Sequence, residues 1–459
     1  MKSKVVKLCL RSVMFLVAIS LLSGTFACLQ AEEINWGKEL KNWEGRELRI
    51  IMIADPWVDA FAVINPEFEK LTGARVTVDA YPYDGTHEKQ IMVGAGRSAD
   101  YDVIVLDCPW VGEFAEVGYV EDLTPYMKAS NPEVVAWDDY LEAYKTVATW
   151  KGEITGMPFG AYHVLFHYRK DLFDEAGFTP PKTLEEWKKI AAYFTNNPKY
   201  PGLYGTALNY FRGAPIGQGW FEYIWNVGGK PFESNYPGSL DPYADMTPKI
   251  NSPEGREVVQ LFIDMVKYGP PGVTSYAWDE RATAFAMGKI AMVSVWSART
   301  PLFVDPARSE VTDKFATAVV PPKKGVKSVP PLGGWVMGIN KFGVQKDLAW
   351  DYIKWFTSIP IHKKFMKAKP VGGPPSRYSA MLDPELNKMF PWYKSIYESA
   401  KLTYEDCRPR IPESFEIIDT IGLYTSKAVG GELTAEKAME EAEKKIKSVL
   451  ATGGYYIRE

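Results

Sequence analysis

The sequence predicts an α/β protein of at least two domains, with parallel strands covered by helices. Two observations carry this. The chain runs to 459 residues, too many for one hydrophobic core. Its first part past the N-terminus also alternates between strand-like and helix-like hydrophobic periods, the pattern of a parallel sheet with crossover helices.

Leu48 to Ile53 reads as a mostly apolar strand. Phe61, Ile64, Phe68 and Leu71 then recur at helical spacing, and Gly73 ends that helix. Val76, Val78 and Ala80 alternate as a second strand, a short helix is expected around Glu88 to Val93, and Val103 to Leu106 is a third strand. Ligands of such sheets sit beyond the carboxyl ends of the strands. Those ends read Ala54-Asp55-Pro56-Trp57, Tyr81-Pro82-Tyr83-Asp84 and Asp107-Cys108-Pro109-Trp110. Trp57, Asp107 and Trp110 are therefore candidate ligand neighbours.

A second unit begins near Phe159, with Val164 to Tyr168 strand-like. Thr183 and Glu186 have the spacing of a capping box, and Trp187, Ile190, Ala191 and Phe194 form the stripe of the next helix. Ser252-Pro253 starts another helix. Thr434 caps a last one, with Ala438, Ala442, Ile446 and Val449 on its apolar face.

The N-terminus has the order of an export signal. Lys2, Lys4, Lys7 and Arg11 precede the apolar run Val13 to Leu22, and small residues follow. The run is shorter than the roughly 20 residues of a spanning helix. Residues 1–31 are thus expected to be a signal peptide cleaved after Ala27 or Ala31, which places the protein in the periplasm. Lipid attachment at Cys28 is the alternative. Without residues 1–31 the chain keeps 49 basic and 57 acidic residues, a net charge of −8. That disfavours nucleic acid and anionic membrane surfaces as partners. Four cysteines make no disulfide scaffold and no zinc ribbon. Cys108 and Cys407 are either paired or separate buried thiols.

Catalytic constellations are missing from the sequence. It has no Gly-x-Ser-x-Gly elbow, no Walker loop and no dinucleotide fingerprint. His163 and His167 have helical zinc spacing, but the stretch reads as a strand, so no metal site is assigned. No cofactor is expected. Asp55 and Asp107 are the one carboxylate pair that a glycoside-acting enzyme could use. Trp and Tyr are abundant, at 15 and 26, and several lie outside clear helices. Sugar rings need flat aromatic faces and fixed hydrogen-bonding groups.

Four blocks in order resemble the extracellular solute-binding proteins of carbohydrate ABC importers, the maltose-binding type. Gly152 to Phe159 with Val164 to Gly177, and Pro180 to Trp187 after them, are similar to the family's crossover into its second lobe. Phe285 to Met292 with Trp296 resembles its Phe-x-x-Gly-Lys-x-Ala-Met…Trp block. Gly333 to Ile339 resembles its return to the first lobe, and Leu433 to Leu450 its terminal helix. The resemblance implies a type II periplasmic-binding-protein fold with a ligand cleft between hinged lobes. Lobe I is expected to hold residues 32–161 plus 322–366 and lobe II residues 162–321 plus 367–459. Crossings are expected near Phe159 to Tyr162, Val320 to Lys324 and Phe365 to Gly372.

The implied function is capture of a sugar or polyol by lobe closure and delivery to ABC permease membrane subunits, by a monomer and without catalysis. The expected ligand neighbours are Trp57, Asp107, Trp110, Tyr162, Tyr210, Trp296, Gly334, Trp335 and Arg377. The segment 210–237 has no counterpart in the resemblance. Arg377, Arg408 and Arg410 add positive charge near the expected cleft and leave an anionic solute open.

Overall fold

The computed structural model describes residues 34–369 and 372–458. The expected signal peptide, its cleavage points and Cys28 lie outside them. Among the described residues no helix is long and apolar enough to cross a membrane.

Eight strands form the main sheet: β1 (Glu47–Ile53), β2 (Arg75–Tyr81), β3 (Val103–Asp107), β4 (Met157–Arg169), β5 (Tyr204–Ala207), β6 (Ile290–Trp296), β7 (Phe315–Val319) and β8 (Leu332–Ile339). Their order is β2-β1-β3-β8-β4-β6-β5, with β7 also on β4. β1 pairs in parallel with β2 and β3, whereas β8 runs antiparallel to β3 and β4. The sheet is therefore mixed, not wholly parallel.

β4 is the element the two halves share. Its residues Met157 to His163 pair with β8, and Val164 to Arg169 pair with β6 and β7. The sequence predicts a strand only over its second half, Val164 to Tyr168. The first half was hidden because Pro158 and Gly160 interrupt the β-forming run.

Around the sheet lie α1 (Asp59–Thr72), α2 (Tyr83–Ala95), α3 (Leu184–Phe194), α4 (Ala214–Ile224), α5 (Pro253–Met265), α6 (Trp278–Ala286), α7 (Lys346–Thr357), α8 (Ile359–Lys367), α9 (Ser414–Val429) and α10 (Ala435–Thr452). In α1, Phe61, Ile64 and Phe68 are buried, but Leu71 is exposed. Thr183 caps α3 by accepting from Glu186 N. The Glu186 carboxylate turns to Lys182 N and not to the cap residue, so only half of the expected box forms. Ser252 and Thr434 cap α5 and α10.

The unaligned segment 210–237 contains α4, which is buried on every side. A helix without a polar face leaves no amphipathic period to read. It packs closely on α9: a Cβ on Gly217 would fall 2.1 Å from Ile418 O, so the bare backbone sets the approach. Cys108 and Cys407 are separate buried thiols.

Candidate ligand-binding site

The strand ends converge on one cavity. β1 brings Ile53 and, just past it, Asp55. β3 ends in Asp107, and Tyr83 opens α2 directly after β2. From the other half come Trp296 at the end of β6, Arg299 in the turn that follows, Gln218 on α4 and Trp278 at the start of α6. Tyr162 on β4, Gly333 and Trp335 on β8 and Arg408 before α9 complete the wall. The cavity is narrow in this structure, about 40 Å³, well below the roughly 300–1,000 Å³ of small-molecule sites, so a ligand enters only as the walls part.

Two carboxylates and two guanidiniums dominate the wall. Arg299 Nη2 lies 3.0 Å from Asp55 Oδ1, and its Nε donates to Asp279 at 3.1 Å. Asp55 Oδ2 accepts from Trp57 Nε1 at 2.9 Å and Tyr162 Oη at 3.2 Å. Arg408 Nη1 donates to Asp107 Oδ2 at 3.2 Å, and Tyr83 Oη donates to the same oxygen at 2.8 Å. Gln218 Nε2 donates to Tyr83 Oη at 3.0 Å. Arg408 also lies over the Trp296 ring, 5.4 Å from its centroid.

Burial raises the Asp55 pKa above the usual carboxylate value, and Arg299 opposes that only in part. For Arg299 burial works against the charge, but Asp55 and Asp279 outweigh it and hold the guanidinium above its ordinary value. Burial likewise pushes the Tyr83 and Tyr162 hydroxyls up, helped by Asp107 and Asp55 respectively, so both stay protonated donors.

Three buried polar atoms of this wall lack a hydrogen-bond partner among the described residues: Asp55 Oδ1, Trp278 Nε1 and Arg408 Nε. The Arg299 contact to Asp55 Oδ1 is close but off the hydrogen-bond line. Buried groups of this kind ordinarily find partners. One acceptor and two donors here match a ligand whose groups both donate and accept.

Of the nine residues expected from sequence, Asp107, Tyr162, Trp296 and Trp335 line the cavity. Trp57 sits behind it, packed against Phe61, Phe159 and Phe365, and its part is to hold Asp55. Trp110 backs Tyr83 and Trp335 at centroid distances of 4.8 and 5.6 Å. Gly334 pairs with Ala161 on β4, where a Cβ would lie 2.9 Å from Gly160 O, and its neighbour Gly333 is the one at the cavity. Tyr210 is core, its hydroxyl on Phe262 O at 3.3 Å.

Arg377 is a correction. It is fully buried, and three of its five N–H donors go to Thr357 O, Ala136 O and Val135 O at 2.6, 2.8 and 2.9 Å. It is not part of the cavity wall and reaches no ligand there. Arg410 is similarly engaged with Asp406, Thr146 O and Thr149 O. His163 and His167 sit on a strand, where four residues span about 13 Å, and contact Tyr144 and Thr300 separately. Sequence reasoning missed Arg299, Gln218 and Gly333, which also line the cavity. It puts Arg408 near the expected cleft, Asp55 among the candidate carboxylates and Tyr83 at a strand end, but names none of them, nor Trp278, among the expected ligand neighbours. Strand-end position was the signal for Asp55 and Tyr83.

A mixed α/β sheet whose halves share one strand, with a small polar and aromatic cavity where they meet, defines a solute-capturing receptor. The chain belongs to the bacterial extracellular solute-binding proteins, whose family model matches residues 55–360. Its fold is the two-lobed one of that class. A solute-binding protein of an ABC transporter from Agrobacterium radiobacter, solved in complex with ribitol, is 30% identical, with a TM-score of 0.82 over 89% of this chain and 100% of that one. A probable amino-acid ABC transporter periplasmic-binding protein of Sinorhizobium fredii is 25% identical over 90% of this chain and 92% of its own length. A mannitol-binding protein of Pseudomonas aeruginosa is 24% identical over 79% and 83% respectively.

Proposed function

We propose that this protein captures a small, uncharged polyol or monosaccharide outside the cytoplasm and delivers it to the membrane subunits of an ABC importer, without changing it chemically. The observation that carries the reading is the charge balance of the cavity: two aspartates, each against an arginine, beside three tryptophans. A hydroxyl donates to a carboxylate while accepting from a guanidinium, and its carbon chain lies on an aromatic face. An anionic solute needs a cation with spare charge, and both cavity arginines are already paired. The same pairing weighs against the glycoside-acting alternative, because Asp55 and Asp107 are each tied to a cation. The solutes of the ribitol and mannitol binders among its relatives support the polyol reading.

The chain acts as a monomer in the periplasm in this reading. The lobes are residues 32–161 plus 322–366 and residues 162–321 plus 367–459, and ligand bridges them and shifts the population toward closure.

Thermal unfolding of the purified protein against erythritol, ribitol, mannitol, monosaccharides, uronates and amino acids tests this. A neutral polyol or sugar should stabilise by about 3–4 kcal/mol at 100 to 1,000 times its Kd and be recovered unchanged. A zwitterion suits paired charges too, and one relative carries an amino-acid name. Stabilisation by an amino acid or a uronate alone overturns the proposal.

A further inference from the structure

Trp296 rests on a missing side chain. Its six-membered ring lies against the α-carbon of Gly333, so that a Cβ there would meet Trp296 Cζ3 at 2.9 Å, Cη2 at 3.1 Å and Cε3 at 3.3 Å. Both residues line the cavity. The rest of the ring is hemmed in. Tyr162 meets it edge-on at 6.0 Å, and the Arg408 guanidinium lies 5.4 Å from its centroid. Gly333 itself is in regular strand pairing, opposite Tyr162 on β4, and it does not need the left-handed conformation that only glycine takes easily. Its lack of a side chain thus serves space and not backbone geometry.

We propose that Gly333 is a specificity-determining positioning residue: it seats the Trp296 ring and thereby sets how long a ligand the cavity accepts. This rests on the polyol reading above. A methyl group added at residue 333 has two places to go. Either it drives the indole off its seat, or it occupies the cavity itself. Both subtract from a space already as narrow as about 40 Å³, so a longer carbon chain suffers more than a shorter one. Close-packed walls do not absorb even one methyl without cost.

The experiment is calorimetric titration of the wild type and Gly333→Ala with erythritol, ribitol and mannitol. The largest polyol bound by the wild type should lose roughly 10- to 200-fold in affinity, the scale of one methyl in a tight pocket. The smallest one bound should lose clearly less. Gly333→Ala combined with Trp296→Phe, whose smaller ring makes room, should bring the ratio between long and short ligands back toward wild type. A merely structural loss would lower all affinities by one factor and would not be rescued in this way. Equal factors for every polyol, or no change, overturn the inference while the polyol reading stands. A wild type that binds none of the three overturns the reading and the inference with it. Should Gly333→Ala fold poorly, the double variant compared with Trp296→Phe alone gives the same ratio test.

Discussion

Arg299 and Asp55 meet at 3.0 Å where the two halves of the protein come together, Asp55 just past β1 and Arg299 just past β6. Both side chains are nearly excluded from solvent, at 9% and 1% exposure. The pair is not isolated, since Asp279 holds the other edge of the guanidinium and Trp57 and Tyr162 hold the other carboxylate oxygen. A buried carboxylate in such a place is costly to keep charged, and its cost separates binding from stability.

Asp55→Asn should therefore keep or raise thermal stability at pH 7 while weakening ligand binding. Burial raises the Asp55 pKa above its ordinary 3.8. A raised carboxylate favours the folded state most below the unfolded value, and that advantage is lost as pH rises through the folded value. At neutral pH the charged form carries the part of the burial penalty that Arg299 does not offset, which the amide lacks. Loss of a charge-assisted acceptor should lower affinity by about 10- to 100-fold. A large fall in melting temperature with intact affinity would contradict this assignment.

Trp278→Phe should cost affinity and little else. The indole Nε1 is buried without a protein partner, so removing it breaks no bond inside the chain. If a ligand hydroxyl accepts from it, the loss is about 0.5–1.5 kcal/mol, measurable by titration. Unchanged affinity would remove Trp278 from the binding wall.

Arg377→Ala should behave in the opposite way. Three buried backbone carbonyls would lose their donor, and the Tyr140 ring would lose a cation 4.2 Å from its centroid. Urea unfolding should show a loss of about 3–5 kcal/mol, the scale for breaking a buried charged network. Affinity of the folded fraction should match wild type, and a selective loss of affinity would return Arg377 to the site.

Acid should destabilise the protein from just below pH 6.5. Burial pushes His163, His167 and His362 each down to about 3. The unfolded chain takes up protons below 6.5 and the folded chain does not, so stability present above 6.5 drains as pH falls toward 3, by about 1.4 kcal/mol per histidine per pH unit. Melting temperatures from pH 7 to 4.5 should drop steeply, and His163→Gln should flatten the slope. A flat profile would show that these rings are not buried in solution.

The amino-acid order was enough for the α/β class, the strand ends and the family. Those depend on hydrophobic period and on local blocks, and both survive in one dimension. It was also enough to pick out Asp107, Tyr162, Trp296 and Trp335, which the fold brings to one cavity, because strand ends and crossover segments are where such sheets place their clefts. What only the tertiary structure decided is which polar groups face the cavity and which are consumed elsewhere. Arg377 and Arg408 read alike as spare cations in the sequence. One is spent on the backbone carbonyls of Val135, Ala136 and Thr357, the other is aimed at Asp107. Gly333 and Gly334 are adjacent, yet only one seats an indole, since neighbouring residues on a strand face opposite sides of the sheet. Partners of this kind come from distant parts of the chain, and their meeting is a property of packing, which no local pattern encodes.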